Sequence, residues 1–133
     1  GAAGGLGAGL MLFCHGSMRN GIELILDLIE FDKAVSDADL VFTGEGFSDS
    51  QTANGKAPVG VSHIAKRYNV PVVCLSGGVS EDAFALLDHG IDAINGTPCA
   101  PVSLELCLKQ ASHYLEQAAR RSALLIAVGQ RLH

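Results

Sequence analysis

The sequence predicts an α/β protein, a parallel sheet with helices on both faces. Three observations point there. Short apolar runs and amphipathic stretches follow one another as strand, helix, strand, helix, strand, helix, an order that implies right-handed crossovers and parallel pairing. Apolar residues make up 48% of the 133 residues, yet aromatics only 5%, so the core is aliphatic, as suits helices laid on a parallel sheet. The most polar loop, Glu45 to Lys56, directly follows an apolar run. That places it at the carboxyl end of a strand, where open sheets of the Rossmann or flavodoxin-like kind bind ligands.

The chain begins with five glycines in its first nine residues. Glycines such as Gly4 and Gly5 suit a loop whose N–H groups face an anion at the start of a helix running to about Cys14. They suit tight helix packing equally well. The spacing is not G-x-G-x-x-G, because Leu10 stands where the last glycine belongs. There is no initiator methionine and no lead-in to this turn, which raises the expectation of a piece of a longer protein.

Ile22, Ile25, Leu26 and Ile29 recur at helical spacing from Gly21 and predict a helix packed on the sheet. A short turn around Phe31 to Ser36 leads to the strand Leu40-Val41-Phe42, which Thr43 and Gly44 end. Beyond the polar loop, Pro58 suits the first turn of a helix carrying Val59, Val61, Ile64 and Ala65. Lys66 and Arg67 close it with the charge the dipole favours, and Asn69 stops it. Pro71 opens a second strand, Val72 to Leu75. Gly77-Gly78 follow, and Ser80 is placed to cap a helix at 81–88. Glu81 and Asp82 occupy the positive end of that helix and make it a poor phosphate site. His89-Gly90 read as a basic last turn and a C′ glycine.

Ile91 to Ile94 form a third strand and Asn95 to Pro101 a loop, after which Ser103 caps a long final helix. Leu104, Cys107, Leu108, Ala111, Leu115, Ala118, Ser122 and Leu125 keep one face of that helix apolar for core packing, and His113 faces solvent. Three strands are few for so much helix, and again an incomplete chain is expected.

A net charge of −5, with no basic run beyond Arg120-Arg121, argues against a nucleic-acid surface. No apolar run reaches about 18 residues and no signal peptide is visible, so a soluble cytoplasmic protein with no membrane partner is expected. Cys14, Cys74, Cys99 and Cys107 form no C-x-x-C pair and no zinc spacing, and read as small buried hydrophobes in a reducing compartment.

The central loop excludes two familiar motifs. Asn54-Gly55-Lys56 resembles the end of a P-loop, but Ser50 stands where the first glycine is required and Ala57 where Ser or Thr binds Mg²⁺. Gly46 to Ser50 resembles a nucleophile elbow but lacks the final glycine. What remains is Glu45, Asp49, Gln51 and Lys56 in one loop. Phosphoryl transfer needs a cation over the moving phosphate, carboxylates for Mg²⁺ or a hydroxyl proton, and N–H donors; each type is present. A solvated loop whose charges steady a turn uses the same residues.

At these residues a family resemblance emerges. Gly44-Glu45-Gly46, Asp49, Gln51-Thr52 and Gly55-Lys56-Ala57-Pro58-Val59-Gly60-Val61 closely resemble the signature of the bacterial-type glycerate kinases (glycerate 2-kinases). That signature runs G-E-G, two residues, D, one residue, Q-[ST], two residues, G-K-x-P-x-G-V. The opening Gly1 to Gly7, Val70-Pro71-Val72-Val73 and Gly90-Ile91-Asp92-Ala93 are also similar to family elements, in order along nearly the whole chain.

The resemblance implies a kinase that uses ATP and Mg²⁺ to phosphorylate D-glycerate. It implies a longer, two-domain enzyme with a cleft, of which this is the carboxyl-terminal part. Glu45, Asp49, Gln51 and Lys56 would line that cleft with Gly44, Gly46 and Gly55. Asp49 is then the base or a metal ligand, Glu45 a metal ligand, Lys56 a clamp on phosphate or carboxylate, and Gly4 and Gly5 approach substrate or nucleotide. Its partners are glycerate, ATP and the remainder of the parent chain, with a homodimer left open. Phe47 stands where the family usually has arginine, which weakens anion binding, and Ser48 where it is usually apolar. The family's amino-terminal lysine- and serine-containing motif is missing, so the piece alone is not expected to turn over. Two other readings stand beside this one: a non-catalytic binding module of the same fold, and an α/β enzyme acting on a phosphosugar.

Overall fold

A computed structural model describes residues 2–132; Gly1, the first glycine of the opening turn, lies outside them. Strands β1 (Val41–Glu45), β2 (Val72–Ser76) and β3 (Ala93–Gly96) form a parallel sheet in the order β1-β2-β3. Val41 lies opposite Val72 and Glu45 opposite Ser76, while Val73 lies opposite Ala93. Strand residues alternate between faces, so Thr43, Glu45, Cys74 and Ser76 share one side and Phe42, Gly44, Val73 and Leu75 the other.

Each side has its own helix. On the first, α4 (Ala57–Arg67) lays Val59 and Ala65 against Val72 and Cys74, and Val35, Val70, Leu86 and Ile91 complete the core. Each fully buried aliphatic side chain there contributes roughly 1.5–3 kcal/mol. On the second, α6 (Ala111–Gly129) covers β2 and β3. Asn95 Nδ2 donates to Ser122 Oγ at 3.0 Å, and Arg121 donates to the carbonyls of Gly96 and Thr97. The expected sheet with helices on both faces is therefore observed.

The opening turn, Ala2–Gly5, leads into α1 (Leu6–Cys14). Then come α2 (Gly21–Leu28) and a short α3 (Phe31–Val35) where a turn was expected. The helix α2 packs on α3 and α4 and not on the sheet, and only Leu26 of its apolar stripe is buried. Periodicity identifies an apolar face without saying what lies against it. Strand β1 runs through Thr43 and Gly44, where it was expected to end, to Glu45, because all three continue the ladder with β2. The third strand lies later than expected, and Ile91 enters the core from outside it.

The segment Glu81–His89 is a succession of 3-10 turns, not an α-helix, and Ser80 does not cap it. The Ser80 hydroxyl is instead engaged with the carbonyl of Ser48 and the carboxylate of Asp82. Gly90 does close the segment in the left-handed conformation, and Asn69 takes the same conformation after α4. His89 contributes its carbonyl, which accepts from Ser62 Oγ at 2.7 Å.

The final helix is divided into α5 (Leu104–Lys109) and α6 at Gln110, whose φ of −116° leaves the helical range. Ser103 caps α5 by accepting from Leu106 N–H. Of the face expected to pack on the core, Ala118 and Ser122 are buried, whereas Leu104, Leu108 and Leu125 are exposed. Cys74 is buried as expected, but Cys14 and Cys99 are exposed. No helix among the described residues is long and apolar enough to cross a membrane.

Candidate active site

The carboxyl ends of β1 and β2 meet backbone to backbone. A Cβ on Gly44 would lie 2.7 Å from the Leu75 carbonyl oxygen, and one on Gly77 would lie 2.6 Å from that of Gly46. Real side chains do not tolerate such distances, so glycine is required for the two segments to approach this closely. Beyond the sheet the loops stay paired. Gly77 N–H donates to Glu45 O, Gly78 N–H to Gly46 O, Ser48 N–H to Gly78 O and Ser80 N–H to Ser48 O, all within 2.9–3.1 Å.

This frame fixes Glu45 as the last residue of its strand. Its Oε1 accepts from the Ser48 hydroxyl at 2.9 Å. Ser48 is fully buried and also lies 2.5 Å from Ser76 Oγ. Glu45, Gly44 and Gly46 line a cleft of about 440 Å³ whose far wall is apolar, formed by Leu104, Cys107, Leu108, Ala111 and Leu115.

Asp49 is held by a different device. It precedes the 3-10 turn Ser50–Ala53, and its Oδ1 accepts from Thr52 N–H at 3.1 Å and from the Thr52 hydroxyl. Thr52 in turn accepts from Asp49 N–H, a capping box that satisfies both ends of the turn. Thr52 is fully buried, which anchors the arrangement. Lys56 Nζ stands 3.8 Å from the same Asp49 oxygen. With Asp49 and Lys56 side chains 30% and 47% exposed, the pair adds little to stability and leaves the ammonium available to an anion. Gly55, at φ +82°, makes the left-handed turn that returns Lys56 toward Asp49 and starts α4.

The structure thus brings Asp49 and Lys56 into contact and sets Glu45 on the cleft with Gly44 and Gly46. Gln51 lies in the Asp49-capped turn, exposed and without a side-chain hydrogen bond among the described residues. Gly55 faces a separate hollow of about 230 Å³ beside Asn20 and His63. The opening turn stands against α1, with Ala3, Gly4 and Gly5 all at positive φ (48°, 64° and 86°). Space around Gly4 and Gly5 is open: beyond the adjoining backbone, nothing lies within 4 Å of a Cβ built on either.

Sequence reasoning missed Thr52, Ser48 and Ser76. The D-x-x-T spacing of the capping box was a usable signal for the first. Ser48 and Ser76 gave none, because only strand register places Ser76 beside Glu45. No group of three or more metal-binding side chains occurs among the described residues. Mg²⁺ does not need one, since it is commonly held by one or two carboxylates with phosphates and water. Glu45 and Asp49 each keep one carboxylate oxygen unbonded to protein among the described residues, so both fit as donors.

A polar loop at the carboxyl ends of parallel strands, between helices on both faces, defines an α/β protein of the open-sheet class. The chain belongs to the glycerate kinase family, whose model matches residues 1–127. It is 42% identical to a glycerate kinase of Bacillus subtilis (strain 168) over 99% of its length, and 37% identical to a glycerate 2-kinase of Escherichia coli (strain K12) over 98%. A crystal structure described as a candidate glycerate kinase 2 from Salmonella typhimurium LT2 superposes on the whole chain with a TM-score of 0.72 at 42% identity. The chain spans about a third of these proteins: 35%, 34% and 33% of their lengths respectively.

Proposed function

We propose that this chain is the carboxyl-terminal part of a cytoplasmic enzyme that transfers the terminal phosphoryl group of ATP to D-glycerate. The observation that carries the reading is the contact of Asp49 with Lys56, on a loop that Thr52 and the β2 segment hold rigid. Phosphoryl transfer depends chiefly on positioning and charge, which a pinned carboxylate beside a half-exposed cation supplies.

In this reading the glycerate hydroxyl oxygen attacks the terminal phosphorus, and the bond to the ADP oxygen breaks. Asp49 accepts the hydroxyl proton as the new bond forms. Lys56 turns its ammonium from Asp49 to the negative oxygens. Glu45 would hold Mg²⁺, with Asp49 a second ligand where it does not serve as the base, and the ion would offset phosphate charge. Backbone at Gly44 and Gly46 lets substrate approach without a Cβ in the way. The exposed leucines of α5 and α6 pack against the rest of the parent chain, so the isolated segment does not turn over.

A second reading, a binding module without turnover, draws on Phe47. Its ring is 54% exposed and packs over Gly78 where the resemblance calls for a cation.

The test is ADP release by the full-length protein given ATP, Mg²⁺ and D-glycerate. Glycerate-dependent release, cut roughly 10²–10⁴-fold in Asp49→Asn, is the expected result. Release that does not depend on glycerate overturns the kinase reading, and an undiminished rate in the variant removes Asp49 as the base. Glycerate binding without release supports the second.

A further inference from the structure

We propose that Ser48 and Ser76 are positioning residues that aim the Glu45 carboxylate through a directed chain of buried hydroxyls. This rests on the reading of Glu45 as a ligand for Mg²⁺.

The direction follows from proton counting. A carboxylate only accepts, so the single proton of Ser48 Oγ goes to Glu45 Oε1, 2.9 Å away. Ser48 Oγ must then accept at its 2.5 Å contact with Ser76, making Ser76 the donor. With that proton committed, Ser76 Oγ can only accept at its 3.5 Å contact with Cys74, whose thiol also lies 3.9 Å from Ser48 Oγ and donates to one or other hydroxyl. Cys74, Ser76 and Ser48 are all fully buried, and no polar side-chain atom in the described core is left without a partner. The chain runs from the middle of β2 outward and ends on one oxygen of Glu45.

Two consequences distinguish this from ordinary packing. Ser48 occupies Oε1 and leaves Oε2 as the oxygen without a protein partner among the described residues. Ser48 is itself fixed by backbone bonds to Gly78 and Ser80 on the neighbouring loop, so the carboxylate is referenced to two strands and not to one flexible side chain. Outer hydrogen bonds of this kind orient metal-binding carboxylates.

The test uses the full-length protein and reads the Mg²⁺ concentration that half-saturates ATP binding by titration calorimetry, with glycerate absent. Ser48→Ala is expected to raise it roughly tenfold, Ser76→Ala less, in the same direction. Glu45→Gln should raise it as well, and adding Ser48→Ala to that variant should change nothing more. Thermal unfolding identifies any variant that does not fold; if Ser48→Ala does not, Ser76→Ala decides by its own shift. A Mg²⁺ dependence unmoved in the folded serine variants but moved in Glu45→Gln overturns the proposal and leaves the kinase reading intact. If Glu45→Gln leaves the Mg²⁺ dependence unmoved, the assignment of Glu45 falls, and this proposal with it.

Discussion

Lys66 Nζ lies 2.7 Å from both carboxylate oxygens of Asp92, and one of those oxygens also accepts the Val72 N–H at 2.6 Å. The contact ties the end of α4 to the start of β2 and to the approach to β3. Burial is the largest single influence on this carboxylate and opposes its charge, but the bonds from Lys66 and Val72 together hold it below the ordinary aspartate range. A carboxylate that is more acidic in the folded state contributes stability above its unfolded value of about 3.9, and that contribution is lost as pH falls through the folded value. The pair is about two-fifths exposed on each side, so the effect is modest. Asp92→Asn is expected to cost less than about 1 kcal/mol at neutral pH. The difference should vanish in acid, as urea unfolding at several pH values would reveal.

Two neighbouring glycines should respond differently to the same change. Gly44→Ala drives a methyl against the Leu75 carbonyl, backbone that cannot swing aside, and should destabilise by about 1–3 kcal/mol. A Cβ on Gly46 meets nothing within 4 Å. Gly46→Ala should therefore leave the unfolding midpoint almost unchanged, while ligand approach to the cleft is reduced. Denaturation and ATP titration of both variants separate the two effects.

Asp49 has both a structural and a chemical part to play, and substitution can divide them. Asparagine caps as well as aspartate, whereas alanine forfeits about 0.5–2 kcal/mol. Asp49→Asn should match the parent in urea, and Asp49→Ala should fall below it. Both should lose turnover if the carboxylate takes the hydroxyl proton.

Beneath the site, Ser62 shares its hydroxyl between the carbonyls of Val59 and His89. Ser62→Ala strands the buried end of that contact and should cost about 1–3 kcal/mol. Leu86→Ala, in the fully buried core, should cost more, about 2–5 kcal/mol. Guanidinium unfolding of the two variants gives the order.

The layers of the fold were legible because each depends on local pattern: apolar runs, proline at the head of α4, glycine after His89. The loop from Glu45 to Lys56 was legible too, as a gathering of polar types behind a strand. What escaped depends on partners distant in sequence. The stripe of α2 gave no hint that Leu26 alone would be buried, and nothing in composition marks the break at Gln110. Ser48 and Ser76 become neighbours only through register, which a single sequence does not state. Asp49 and Lys56 were both identified, but not the buried Thr52 that holds one of them in place.

The ladder that continues past Glu45 through Ser48 to Ser80 makes a mechanical couple of two stretches some thirty residues apart. Neither can lift away while the other stays down. Amide protons of Ser48, Gly78 and Ser80 should then exchange with deuterium at matched rates, as parts of one latch that opens whole. A molecule arriving over β1 would be felt at once over β2.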